Sequence, residues 1–180
     1  MYKCIVFDMD GTLVDSYEGI FNAYQWASER MGVEFGGATV VRQAIGSPLP
    51  YAFQQFWNMN SAQVPRAVAF YRDYYARKGM YQAEVYEGME DALKRLKEAG
   101  YFLGIATLKN ESFAKDMLQG QGLLPYFDVV CGMDAGDCAT KSDLIQRCMR
   151  LANVSSGETV LVGDSAYDAV GAAEAGVDFL

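Results

Sequence analysis

A chain of 180 residues that is 51% hydrophobic can bury one proper core together with a small inserted module. Its 15 Lys and Arg stand against 23 Asp and Glu, and the net charge of −8 argues against general binding to nucleic acid polymers or anionic membranes. Histidine is absent, which removes a Ser-His-Asp triad, a histidine base and histidine-ligated zinc together and leaves acid–base work to carboxylates, lysine, tyrosine or cysteine.

No leader-like segment, long apolar run, low-complexity tract or repeat is visible, so a soluble, cytoplasmic protein is expected. Cys4, Cys131, Cys138 and Cys148 lack paired CxxC spacing and are expected to be reduced and mostly buried.

In chain order, residues 3–8 read as a strand that delivers Asp8 and Asp10 into a turn at Gly11. Residues i and i+2 of a strand share a side, so the two carboxylates would sit together. Close carboxylates resist joint ionisation unless a cation joins them, and oxygen donors suit a hard divalent ion, Mg²⁺ before others. Asp-Gly by itself only marks a turn.

Helical periodicity then runs from residue 18 to about 31, and residues 38–79 are mostly helical with breaks at 46–50 and 60–61 and no convincing strand. Aromatics of the stretch Phe70-Tyr-Arg-Asp-Tyr-Tyr75 fall at helical spacing, which suits core packing better than base stacking. After residue 86 strands and helices alternate: helix 91–99, strand 101–107, helix 112–120, strand 127–131, helix 142–151, strand 159–162, helix 167–175 and a short strand 177–180. The pattern predicts an α/β fold, a doubly wound parallel sheet with right-handed crossovers built from residues 1–15 and 86–180, interrupted by an all-helical insertion over 16–85.

A second apolar strand also ends in acids, in Thr159-Val-Leu-Val-Gly-Asp-Ser-Ala-Tyr-Asp168. In an open parallel sheet the carboxyl ends of the strands share one crevice, so Asp164 and Asp168 would join Asp8 and Asp10 there.

With these residues the chain resembles the haloacid dehalogenase-like phosphohydrolase superfamily. Four separated motifs stand in the family's order: Asp8-Met-Asp-Gly-Thr-Leu-Val-Asp15; Thr107 within Gly104-Ile-Ala-Thr-Leu-Lys109; Lys141 within Thr-Lys-Ser-Asp; and Gly163-Asp164 through Asp168. Val85-Tyr-Glu-Gly88 and the helical segment before it look like the branch of phosphoglycolate phosphatases and nucleotidases.

The resemblance implies a Rossmann-like core, a helical cap over residues 16–85 with Asp15 in the flap leading into it, and an aspartyl-phosphate mechanism. Asp8 would be the nucleophile, already ionised and needing no base. Asp10 would protonate the leaving alkoxide and later deprotonate water. Thr107, with the Met9 and Leu108 backbone N–H groups, would donate to the phosphoryl oxygens, and Lys141 would add positive charge. Mg²⁺ would be held by Asp8, the Asp10 carbonyl and Asp164, with Asp168 behind them orienting Lys141 or a metal-bound water.

Thr12 is placed in the turn that steadies Asp10 and is included among the substrate-side residues. Lys109 is a candidate to face the pocket, and Arg42, beside Gly46-Ser-Pro-Leu49, a candidate for a second carboxylate or phosphate of the substrate; for both, a solvated charge is the alternative.

The expected activity is Mg²⁺-dependent hydrolysis of a small phosphorylated metabolite, phosphoglycolate phosphatase-like before 5′-nucleotidase or a phosphosugar mutase of the β-phosphoglucomutase type. A dehalogenase is disfavoured because that reaction dispenses with the second acid. A receiver domain is disfavoured because strand 127–131 runs into Gly132 and Met133 where its acceptor acid would stand. An inactive phosphate-binding protein is the non-enzymatic alternative. The sequence stops at Leu180, inside what the family makes its last strand; if the protein ends there, an exposed sheet edge is expected, and monomer and homodimer both stay open.

Overall fold

The computed structural model describes residues 1–134, 136 and 138–180, and divides into two units, Ser16–Ala83 and Met1–Asp15 with Glu84–Leu180. In the first unit, apolar positions at helical spacing form α1 (Tyr17–Met31), α2 (Gly37–Ala44), α3 (Leu49–Phe56) and α4 (Val64–Arg77). The breaks fall where expected: Gly46 turns left-handed at φ 81°, and the Asn60 side chain accepts from the Ala62 and Gln63 N–H groups. Tyr24 stacks on Trp57 with ring centroids 4.6 Å apart, and Phe53, Tyr71 and Tyr75 complete a buried aromatic cluster. Tyr71 and Tyr75 are therefore core residues of this unit. Gly19 lets α1 pass a backbone turn, since an added Cβ would meet the Gly79 carbonyl oxygen at 2.0 Å.

The second unit carries the sheet: β1 (Cys4–Phe7), β2 (Val14–Asp15), β3 (Glu84–Val85), β4 (Phe102–Asn110), β5 (Val129–Met133), β6 (Thr159–Val162) and β7 (Asp178–Phe179). Its helices are α5 (Met89–Glu98), α6 (Glu111–Gly120), α7 (Lys141–Ala152) and α8 (Ala166–Ala175). The main sheet has the order β5-β4-β1-β6-β7, every neighbour parallel.

Alternation along the strands turns Cys4, Val6, Ala106, Cys131, Met133 and Leu161 to one face, where they pack with Leu144, Ile145 and Cys148 of α7 and Ala172 of α8. Ile5, Phe7, Leu103 and Ile105 alternate with them and are buried in turn, so both faces of the sheet are covered, as parallel sheets require. This is the α/β, doubly wound core that the alternation predicts.

Some elements were not legible. Glu84 and Val85, which lie in the stretch read as helical, pair antiparallel with Asp15 and Val14 instead. Two-residue strands carry no measurable period. β4 runs three residues past Thr107 to Asn110, with its register to β5 broken between Ala106 and Asn110. All four cysteines are free thiols, three of them buried. Among the described residues no helix is long and apolar enough to cross a membrane.

Candidate active site

Central strand β1 pairs on one side with β4 and on the other with β6, in registers that set Phe7 beside Ile105 and Val162. The next residues of all three strands therefore emerge at one edge. The Asp8 N–H donates to the Val162 carbonyl at 2.8 Å, so Asp8 still belongs to the ladder and its backbone is fixed. A tight loop follows, in which the Met9 carbonyl accepts from Thr12, Leu13 and Val14 and the Gly11 N–H donates to Val14. Gly11 is required twice over: its φ is +86°, and a Cβ there would fall 2.3 Å from Asp164 Oδ2. Thr12 Oγ1 donates to Asp164 Oδ1 at 2.9 Å. The structure thus gives the Thr12 hydroxyl to Asp164.

Lys141 opens α7 behind a capping box made by Thr140 and Asp143. A cation at a helix N-terminus is disfavoured by the helix dipole, so its place needs another cause. That cause is a pair of carboxylates: Lys141 Nζ lies 2.5 Å from Asp8 Oδ1 and 2.6 Å from Asp168 Oδ1, with only 5% of the side chain exposed. The Asp168 contact is a charge contact without an aligned hydrogen bond. The other Asp168 oxygen accepts from the Ser165 hydroxyl at 2.5 Å and the Ser165 N–H at 3.0 Å, which closes the capping box of α8. Gly163 and Gly171 make room for these charges, because a Cβ on the first would lie 2.6 Å from Asp168 Cγ and on the second 2.5 Å from Lys141 Cγ.

From β4 come Thr107, 2% exposed, and Lys109. Thr107 Oγ1 accepts the Lys109 N–H at 3.1 Å, which leaves the hydroxyl hydrogen to donate elsewhere. Lys109 Nζ forms an ion pair with Asp10 Oδ2 at 3.0 Å, the two side chains 8% and 13% exposed. Met9 is fully buried in the loop and Leu108 half-buried beside Thr107.

Burial pushes the Asp8 carboxyl up to about 7; Lys141 pulls it down, and Asp168 and Asp10 push it further up. Burial also opposes the charge on Lys141, but Asp8 and Asp168 outweigh it and hold the ammonium above its ordinary value. Asp164 is raised by burial, against the lowering effect of Thr12, with Asp168 and Asp10 adding to the rise.

One carboxylate oxygen each from Asp8, Asp164 and Asp168 lie within 4.8 Å of one another. Among the described residues, with Asp8, Asp10, Asp164 and Asp168 all ionised, four carboxylates face the ammonium groups of Lys109 and Lys141, an excess of two negative charges that falls to one when Asp10 carries a proton. A divalent cation with oxygen ligands fits both the donor set and the charge deficit. Asp8 and Asp164 are the better ligands, since both oxygens of Asp168 are engaged, by Ser165 and Lys141.

These contacts join Asp8, Lys141, Asp168, Asp164 and Thr12 in one set and Asp10, Lys109 and Thr107 in a second, and the charge of Asp10 acts on both Asp8 and Asp164. Arg42 lies in the helical unit, in the last turn of α2, exposed and with its guanidinium carbon 4.7 Å from the Tyr17 ring centroid. Ser165, Gly171 and Gly132 were not singled out from the sequence. Ser165 had a signal, the Ser-x-x-Asp spacing of a capping box. Gly171 had only the oddity of a glycine inside an alanine-rich helix. Gly132 had none: a Cβ there would lie 2.8 Å from the Lys109 carbonyl and 2.7 Å from Glu111 Cα, so it lets the end of β4 pass close to β5.

Residues 5–180 match the model of the haloacid dehalogenase-like hydrolase family. A 5′-nucleotidase from Pseudomonas aeruginosa is 30% identical over 177 residues, 98% of this chain and 80% of that protein. A phosphoglycolate phosphatase from Vibrio parahaemolyticus is 28% identical, across 97% of this chain and 80% of its own length. The crystal structure of a predicted phosphatase from Clostridium acetobutylicum superposes with a TM-score of 0.94 at 32% identity, covering 99% of this chain and 83% of that one.

Proposed function

The chain belongs to the haloacid dehalogenase-like hydrolase family, as a phosphatase, and on that premise we propose that it hydrolyses a small phosphomonoester through an aspartyl-phosphate on Asp8. The observation that carries this reading is the position of Asp8, buried at a strand end against Lys141 with a second acid, Asp10, two residues on.

With Asp10 entering the step protonated on the oxygen that Lys109 does not hold, the Asp8 oxygen not held by Lys141 attacks phosphorus while Asp10 gives that proton to the leaving alkoxide. The Asp10 carboxylate then takes a proton from water as that water attacks the aspartyl-phosphate, releasing inorganic phosphate and restoring Asp8. Thr107 donates its remaining hydrogen to a phosphoryl oxygen, and Lys141 balances charge gathered on Asp8 and the phosphoryl group. Asp8, Asp164 and the Asp10 backbone carbonyl would hold Mg²⁺, which when bound supplies positive charge to the phosphoryl oxygens.

Substrate choice is assigned to the helical unit, with Arg42 as a contact for a second anionic group. A phosphoglycolate-like ester is the leading candidate and a nucleoside monophosphate the next. The reading is supported by the acid cluster and by the names of relatives near 30% identity.

The test is release of p-nitrophenol from p-nitrophenyl phosphate with and without Mg²⁺, by the parent and by Asp8→Asn. Metal-dependent turnover abolished by the substitution supports the reading, and a panel of natural phosphomonoesters then ranks substrates. Recovery of an isomeric sugar phosphate instead of inorganic phosphate would replace hydrolase by mutase, and a folded parent without turnover would leave a phosphate-binding protein.

A further inference from the structure

Lys109 has an unusual setting for a lysine at a strand end. Its ammonium pairs with Asp10 at 3.0 Å with both side chains almost buried. Its backbone is pinned from three directions: the N–H is held by Thr107 Oγ1, the carbonyl is seated over Gly132, and the next residue, Asn110, caps α6 by accepting the Ser112 N–H. Lys109 lies within the register break of β4 against β5, between Ala106 and Asn110. So much fixation is wasted on a solvated charge and is more than a flexible substrate contact needs.

We infer that Lys109 is a positioning residue for Asp10, fixing the orientation of that carboxyl group toward the leaving oxygen. The inference rests on the phosphatase reading above. In the first step the Asp8–phosphorus bond forms, the bond from phosphorus to the ester oxygen breaks, and the Asp10 proton goes to that oxygen. A carboxyl group held in one rotamer delivers this proton; one that swings loses the geometry on which general acid catalysis depends. The demand is large when the departing group is an alkoxide and small when it is a stabilised phenolate that leaves without a proton.

The experiment compares kcat/KM of the parent and Lys109→Met on three esters: dinitrophenyl phosphate, hydroxyethyl phosphate and phosphoglycolate. The first needs no leaving-group proton; the other two need it, and only the last has a second anionic group. Lys109→Met is expected to lower kcat/KM for both alkyl esters about equally, and by ~10-fold or more beyond its effect on dinitrophenyl phosphate, a part of the ~10²- to 10⁴-fold that a positioned acid contributes. Lys109→Arg, which keeps a cation, is expected to recover part of the alkyl activity. In an Asp10→Asn background Lys109→Met is expected to cost little more, because the group it positions is gone.

An equal loss on all three esters in a folded variant would overturn the inference in favour of a general structural role. A loss confined to phosphoglycolate would overturn it in favour of a substrate contact. Both leave the phosphatase reading standing, whereas a parent inactive on every ester removes that reading and the inference with it.

Discussion

The Cα of Gly171 on α8 lies against the aliphatic stem of Lys141 on α7, so that a methyl group there would sit 2.6 Å from Lys141 Cβ and 2.5 Å from Cγ. The ammonium that binds Asp8 and Asp168 therefore depends on a hydrogen atom one helix away. Gly171→Ala should leave the fold intact, because the gain in helix propensity of up to about 1 kcal/mol opposes the overlap. It should nonetheless shift Lys141 enough to lower kcat on the order of tenfold to a hundredfold. Thermal melting and kcat measured on one preparation check this; an unchanged kcat would show that Lys141 relaxes freely.

Burial of the Asp8 carboxyl carries a stability cost. That group is raised from 3.8 to about 7, chiefly by burial, so the folded state binds a proton that the unfolded chain has released, and metal-free stability falls as pH rises between those values. Asp8→Asn should abolish turnover. Its melting temperature without divalent ions should equal or exceed the parent's near pH 8, with the advantage shrinking toward pH 4. Paired melts in a chelating buffer across that range are the measurement, and a variant less stable at the upper end would mean that the ion pair with Lys141 outweighs burial.

Thr12 is the only side chain donating a hydrogen bond to Asp164 among the described contacts. Thr12→Val keeps the shape and removes that donor, leaving Asp164 to rotate. The Mg²⁺ concentration for half-maximal activity should rise about tenfold, the lower end for loss of a group that orients a ligand. A titration of activity against Mg²⁺ reads it, and an unmoved midpoint would take Asp164 out of the metal site.

Ser165 caps α8 and holds Asp168 by the same hydroxyl. Ser165→Ala should cost about 1 kcal/mol of stability as a lost cap and should also reduce turnover, since Asp168 anchors Lys141. Urea unfolding beside a kcat measurement separates the effects. Loss of stability with full activity would confine Ser165 to capping.

Much of the site was legible because its acids are local. Asp8 and Asp10 stand at i and i+2 after an apolar run, and Asp164 and Asp168 after another, so strand period and a glycine turn place them without knowledge of the fold. Lys141 and Thr107 were less secure, since a lysine opening a helix and a threonine ending a strand are ordinary. The order of the motifs, and no single residue, pointed to them.

What the sequence alone determined is the alternation of strands and helices, the helical block, and the residue types at the strand ends, all consequences of short-range periodicity and turn chemistry. Only the tertiary structure decided partnership: Lys109 with Asp10, Lys141 with both Asp8 and Asp168, Thr12 with Asp164, and the bare glycines 11, 163 and 171 that make room for those charges. Such pairings join residues up to 152 positions apart. They are set by strand order and register, which bring distant chain segments within contact distance, and no local pattern carries that information.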